Sequence, residues 1–307
     1  MAVDATALEP EGPRRNGALR SLSTLAWRRP WLKGLGQLVP SVLAFLLVYI
    51  AALAALLVSG FWRIDEFTSE IVREWGIDNF RTLWDDPTYR TIALRTVGLA
   101  SAVTATCIVL AFPFALYLVR VASPRLRVIL LVATVLPLWV SYLVRVYSWR
   151  LLLNPEGAIN WALGGLHLPQ QNILYTNWAM WVVYTYIWFP FMVLPVYAAL
   201  ERIPGSYLEA SADLGARGWT TLRRVVLPLA IPGIAAGSIF TFSLTLGDYI
   251  APGLVGGPSS QLIGNVVFAN VGVANNVPFA AAFATVPLAI MAVYLLLMKR
   301  VGASENL

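Results

Sequence analysis

Long apolar runs alternate with shorter polar intervals along this chain. Six segments, 39–61, 92–119, 127–152, 177–200, 231–255 and 279–298, supply the roughly 20 apolar residues needed to cross a hydrocarbon core about 30 Å thick. A helix satisfies its own backbone hydrogen bonds in lipid, so the pattern predicts an all-α membrane protein with six transmembrane helices. The transmembrane domain is expected over 39–300, between a polar tail at 1–38 and a short tail at 301–307.

The polar intervals differ in kind. Segment 62–91 mixes charges with aromatics, as in Glu70-Ile71-Val72-Arg73-Glu74-Trp75 and Asn79-Phe80-Arg81-Thr82-Leu83-Trp84, which predicts short amphipathic helices on the membrane surface. Asn154-Pro155-Glu156-Gly157 opens the next interval with turn chemistry, and a short helix is expected over 159–163. Pro113, Pro137, Pro190, Pro195 and Pro287 fall inside spans, where each removes a donor and bends the helix.

Charge orients the spans. Arg14, Arg15, Arg20, Arg28, Arg29 and Lys33 precede the first; Arg120, Arg125 and Arg127, then Arg202, Arg217, Arg223 and Arg224, and finally Lys299 and Arg300 fall on the same side of an even number of crossings. The other side holds Asp65, Glu66, Glu70, Glu74, Asp78, Asp85 and Asp86. The positive-inside rule then places both termini in the cytoplasm, with segment 62–91 on the opposite side of the membrane. With 58% hydrophobic and 12% charged residues, the net charge of +6 reports topology, and no nucleic-acid partner is expected. Cys107 and His167 are each the single residue of their type, which excludes a disulfide or a cysteine-rich metal site within one chain.

The interval 201–230 is the longest interruption on the basic side after the tail. Pro204 and Gly205 break span four, and Ser206 with Glu209 forms a capping-box pattern for a helix through Leu214. Gly215 ends that helix, and a second one, from about Trp219 to Val226, is expected to stop at Pro228. Such a hairpin either connects two spans or fits a groove on another protein. Ala210 and Ser211 permit close approach, and Leu208, Leu214 and Leu222 offer apolar contact.

Glu209, Ala210, Ser211, then Gly215, then Val225, Leu227 and Pro228 resemble the "EAA" loop of ATP-binding cassette (ABC) importer permeases, with Ser211 in place of the second Ala and Val225 in place of Ile. Leu136-Pro137-Leu138-Trp139, Leu143 to Trp149, Phe189 to Tyr197 and Gly256-Gly257-Pro258 are similar to permeases of spermidine and putrescine importers, over roughly residues 77–299. The resemblance implies a type I importer permease fold and an ATPase-coupling role for Glu209, Ala210, Ser211, Leu214, Gly215, Leu227 and Pro228. It also implies a place in the bacterial inner membrane, an ATPase dimer, a sister permease, an extracytoplasmic solute-binding protein and polyamine cargo moved inward by alternating access. The sequence has no Gly-x-x-x-x-Gly-Lys-Ser/Thr loop, so ATP and Mg are expected on the partner ATPase, with no cofactor and no catalysis in this chain. A phosphonate, a carboxylate or another small organic solute is the alternative cargo, and a secondary transporter that needs no ATPase is the alternative class.

Candidate pathway residues come from polar and aromatic groups within spans. Ser238, Thr241, Thr245 and Asp248 recur at steps of three and four, so they share one face of span five, with Tyr249 next in sequence. Counted at 1.5 Å per residue, Asp248 lies roughly 25 Å along its span and level with Arg145 on span three, so pairing with Arg145 or Arg95 competes with a role in receiving cationic substrate. Tyr142, Arg145 and Trp149 share a face, as do Trp181, Tyr184, Trp188 and Phe191. Such aromatics can hold an alkylammonium by cation–π attraction, although stripes at this spacing more often serve as packing or interfacial anchors.

Overall fold

A computed structural model of the chain describes residues 30–65, 68 and 70–303. The tail arginines at 14, 15, 20, 28 and 29, Glu66, and residues 304–307 lie outside the described residues. Two units divide at Leu56 and Leu57. The first contains most of one apolar helix, α1 (Pro30–Ser59), with Pro40 inside it.

The second unit begins with a short antiparallel pairing of β1 (Arg63–Ile64) and β2 (Ile71–Val72), with Arg63 opposite Val72, followed by α2 (Asp78–Asp85). Only one of the two surface helices expected here forms. The other stretch pairs as a strand, and Asn79 ties the hairpin down by donating to the carbonyls of Gly60 and Trp62. The next helix, α3 (Pro87–Arg120), starts where local chemistry dictates: Asp86 caps it by accepting from the Thr88 N–H, and Pro87 needs no partner in the first turn. The Thr88 hydroxyl and N–H together hold the exposed Asp86 carboxyl below the usual carboxylate range.

The third expected span is not one helix. It comprises α4 (Pro124–Val135), a 3-10 turn (Leu136–Trp139) and α5 (Tyr142–Leu153), and the two halves of the span meet at 98°. Pro137 sits in the turn, and Val140 and Ser141 take extended backbone, so the helix cannot run through. Ala158–Gly165 forms α6, covering the short helix expected at 159–163. The apolar helix α7 (Asn177–Glu201) is capped by Thr176, and Pro190 and Pro195 lie within it.

A hairpin of α8 (Gly205–Asp213) and α9 (Gly218–Thr221) then leads through a π turn (Leu222–Val226) into α10 (Leu227–Gly247). Span five therefore ends at Gly247 instead of 255, and a helical turn with a π segment at Pro252–Gly256 follows it. The last helices are α11 (Ile263–Gly272) and α12 (Val277–Ala303). Among the described residues, five helices are long and apolar enough to cross a membrane, and the bent pair makes six.

The core of the second unit is the packing of α3, α7 and α10. Close approach of α10 to α7 depends on Gly233, where a Cβ would lie 2.6 Å from the Pro195 carbonyl oxygen and 2.5 Å from the Ala199 methyl.

Candidate substrate site and partner loop

Asp248 follows the last residue of α10 in extended conformation (φ −77°, ψ 137°) and caps the turn beyond it. Its carboxylate accepts from the N–H groups of Ile250 and Ala251, both at 3.1 Å. The Tyr142 hydroxyl of α5 donates to it at 2.5 Å and the Tyr184 hydroxyl of α7 at 2.8 Å. Three separate stretches of chain thus meet at one carboxylate. Trp188 stacks on both tyrosines, with ring centroids 5.7 Å from Tyr142 and 6.3 Å from Tyr184, and Phe191 meets its edge at 5.9 Å. Tyr184 is fully buried, and the buried Trp188 indole N–H has no hydrogen-bond partner among the described residues.

The pairing of Asp248 with an arginine does not occur. Arg145 Cζ lies 5.8 Å from the centre of the Tyr142 ring, and Arg95 donates to the Gln261 carbonyl. The equal-depth estimate fails because it assumed an unbroken helix from Arg127 to Arg145, whereas the chain turns by 98° between them. The other pathway candidates separate into distinct places. Thr241 and Thr245 are fully buried and donate to carbonyls one turn back, while Thr241 and Ser238 reach Thr104 and Met298 on neighbouring helices, so this face looks at protein. Tyr249 points away and stacks on Phe268 at 4.6 Å. Trp149 meets Tyr186 edge-on at 5.3 Å, and both line a cavity of about 300 Å³ that also contains Arg145. Sequence patterns missed Tyr186 and the two backbone N–H groups. Asp248 followed by Ala251-Pro252 was the available signal for a capped turn.

The partner loop has the opposite character. Gly215 takes left-handed angles (φ 75°), with its N–H on the Ala212 carbonyl and the Ala216 N–H on the Ser211 carbonyl, the two bonds of a Schellman C-cap. Ser211 and Thr221 hydroxyls bridge the two helices at 2.9 Å. The expected capping box is absent: Pro204 precedes α8, which starts at Gly205, so Ser206 lies within the first turn and makes no side-chain cap. Nor does Pro228 close the second helix. The Leu227 N–H bonds five residues back to Leu222, and this wider turn carries the chain past a proline that lacks an N–H and crowds the ordinary helical carbonyl.

Leu208 and Leu222 pack inward, leaving Leu214, 88% exposed, and Trp219, 71% exposed, as the apolar groups at the tip. Glu209, Ala210 and Gly215 are exposed beside them, Ser211 is half-buried, and Leu227 and Pro228 sit at the root of α10.

Both regions lie within residues 106–303, which match the family of binding-protein-dependent transport system inner membrane components. The chain belongs to this family. It is a multi-pass inner-membrane permease of the ABC importer type, and such a subunit is a membrane component, not an enzyme. The permease is similar to the inner membrane ABC transporter permease protein YdcU of Escherichia coli, at 45% identity over 310 residues, covering 97% of this chain and 98% of YdcU. It is similar also to the spermidine/putrescine transport system permease protein PotB of Escherichia coli, at 33% identity over 237 residues, covering 75% of this chain and 84% of PotB. Its fold matches a solved bacterial ABC transporter involved in alginate import, with a TM-score of 0.68 at 19% identity, covering 93% of this chain and 98% of that one. The type I permease fold expected from the sequence is thereby shown.

Proposed function

We propose that this permease carries polyamines inward, and that the 205–221 hairpin couples it to an ATPase dimer on the cytoplasmic side. The reading of the cargo is carried by one observation: a carboxylate, Asp248, set among Tyr142, Tyr184 and Trp188, the chemistry that suits an alkylammonium. The likeness to PotB supports the same cargo. Each phenol that holds Asp248 is a donor, and so is an ammonium group. Substrate takes the place of a phenol hydroxyl, which frees α5 or α7 from α10 and links occupancy to helix movement.

Coupling is supported by the exposed Leu214 and Trp219 at the end of a capped hairpin, an apolar surface that a partner can cover. The charge asymmetry supports the same side for this hairpin, with both termini and the basic loops in the cytoplasm. A solute-binding protein delivers cargo from outside, and ATP and Mg stay on the ATPase. The test is uptake of labelled spermidine by the complete transporter in vesicles. Asp248→Asn weakens uptake with assembly intact; uptake without an ATPase, or by the variant at wild-type rates, counts against the proposal.

A further inference from the structure

Arg145 has no counter-charge among the described residues. Among the described residues its Nε and Nη1 are buried without a hydrogen-bond partner, and the only ion pairs, Arg63 with Glu74 and Arg81 with Asp85, lie elsewhere. Asp248, which shares Tyr142 with it, accepts from four other donors and makes no ion pair with it. The guanidinium lines the cavity of about 300 Å³ at the break between α4 and α5, together with Pro137, Val140, Ser148, Trp149 and Tyr186. None of these neighbours carries a carboxylate, so the lining itself supplies no anion. Buried guanidinium nitrogens left without a partner are costly to desolvate, so a counter-charge from elsewhere is favoured.

The same helix shows where the missing charge comes from. Leu143, Val144, Tyr147 and Leu151 form an exposed apolar face of α5 beside the cavity, a surface that a second membrane helix can cover. We infer that Arg145 forms an ion pair with a carboxylate side chain of a second permease subunit packed on this face. This rests on the proposed cargo: a polyamine brings no anion, so the counter-charge is protein.

The experiment expresses the full chain with its sister permease and reads two quantities, recovery of the paired permeases in detergent without substrate and spermidine uptake in vesicles. Arg145→Glu lowers recovery about tenfold or more, because a reversed charge faces the carboxylate, while Arg145→Lys keeps most of it. Replacing each Asp and Glu in the sister's membrane helices by Lys, one at a time, restores recovery with Arg145→Glu at one position. The pair is refuted when no such reversal rescues it, when Arg145→Gln assembles and transports like wild type, or when the defect follows the phosphatidylglycerol content of the vesicles, which identifies a lipid phosphate as the occupant. Because recovery is read without substrate, failed rescue sinks the ion pair alone, whereas absence of spermidine uptake by the wild type sinks the polyamine reading alone.

Discussion

At the tip of the 205–221 hairpin two large apolar side chains, Leu214 and Trp219, face outward, whereas beyond α10 the carboxylate of Asp248 faces inward. Leu214 and Trp219 have no cover, yet the hairpin beneath them is fixed by the Gly215 cap and the Ser211–Thr221 bridge. Asp248 accepts from four donors belonging to three stretches of chain. A stiff element with an unsatisfied surface suits permanent attachment to another protein. A satisfied polar junction between helices suits exchange, because each bond it gives up must be replaced by another donor.

That contrast breaks first at the hairpin. Glu209→Lys puts a reversed charge on the exposed face and is expected to cut copurifying ATPase by about a hundredfold, read by pull-down from membranes. Next comes the scaffold beneath both regions: Gly233→Val drives a side chain into the Pro195 carbonyl and costs about 1–3 kcal/mol, seen as a lowered melting temperature of the detergent-solubilised chain. Leu214→Ser removes exposed apolar area only, so ATPase association weakens about tenfold while the melting temperature of the isolated chain stays unchanged. The smallest effect sharpens the other side of the comparison. Tyr184→Phe removes one phenol that competes with an ammonium, so the KM for spermidine falls about threefold; a rise would show that the hydroxyl is needed by the substrate instead.

Much of this was legible in the sequence because it depended on local composition. Span positions follow from apolar length, and the hairpin turn from a glycine able to take positive φ. What escaped were departures from regular geometry. Pro137 predicted a bend, but the 98° break also needed two extended residues after it, which shifts Arg145 away from the depth that helical counting assigns. Pro228 read as a helix stop because an α-helix cannot hold it, yet the chain widens by one residue and continues. The Ser238–Asp248 periodicity was correctly helical, but only a packed structure reveals that the hydroxyls bond within the protein while Asp248, past the helix end, turns toward the tyrosines.

The central claim is that Asp248 belongs to substrate and the hairpin to the ATPase. Measuring both functions on one preparation of Asp248→Asn tests it most directly. Copurifying ATPase is expected to match wild type, with the KM for spermidine raised about tenfold through loss of the charge that an ammonium would meet. Unchanged spermidine uptake, or loss of the ATPase together with uptake, would contradict it.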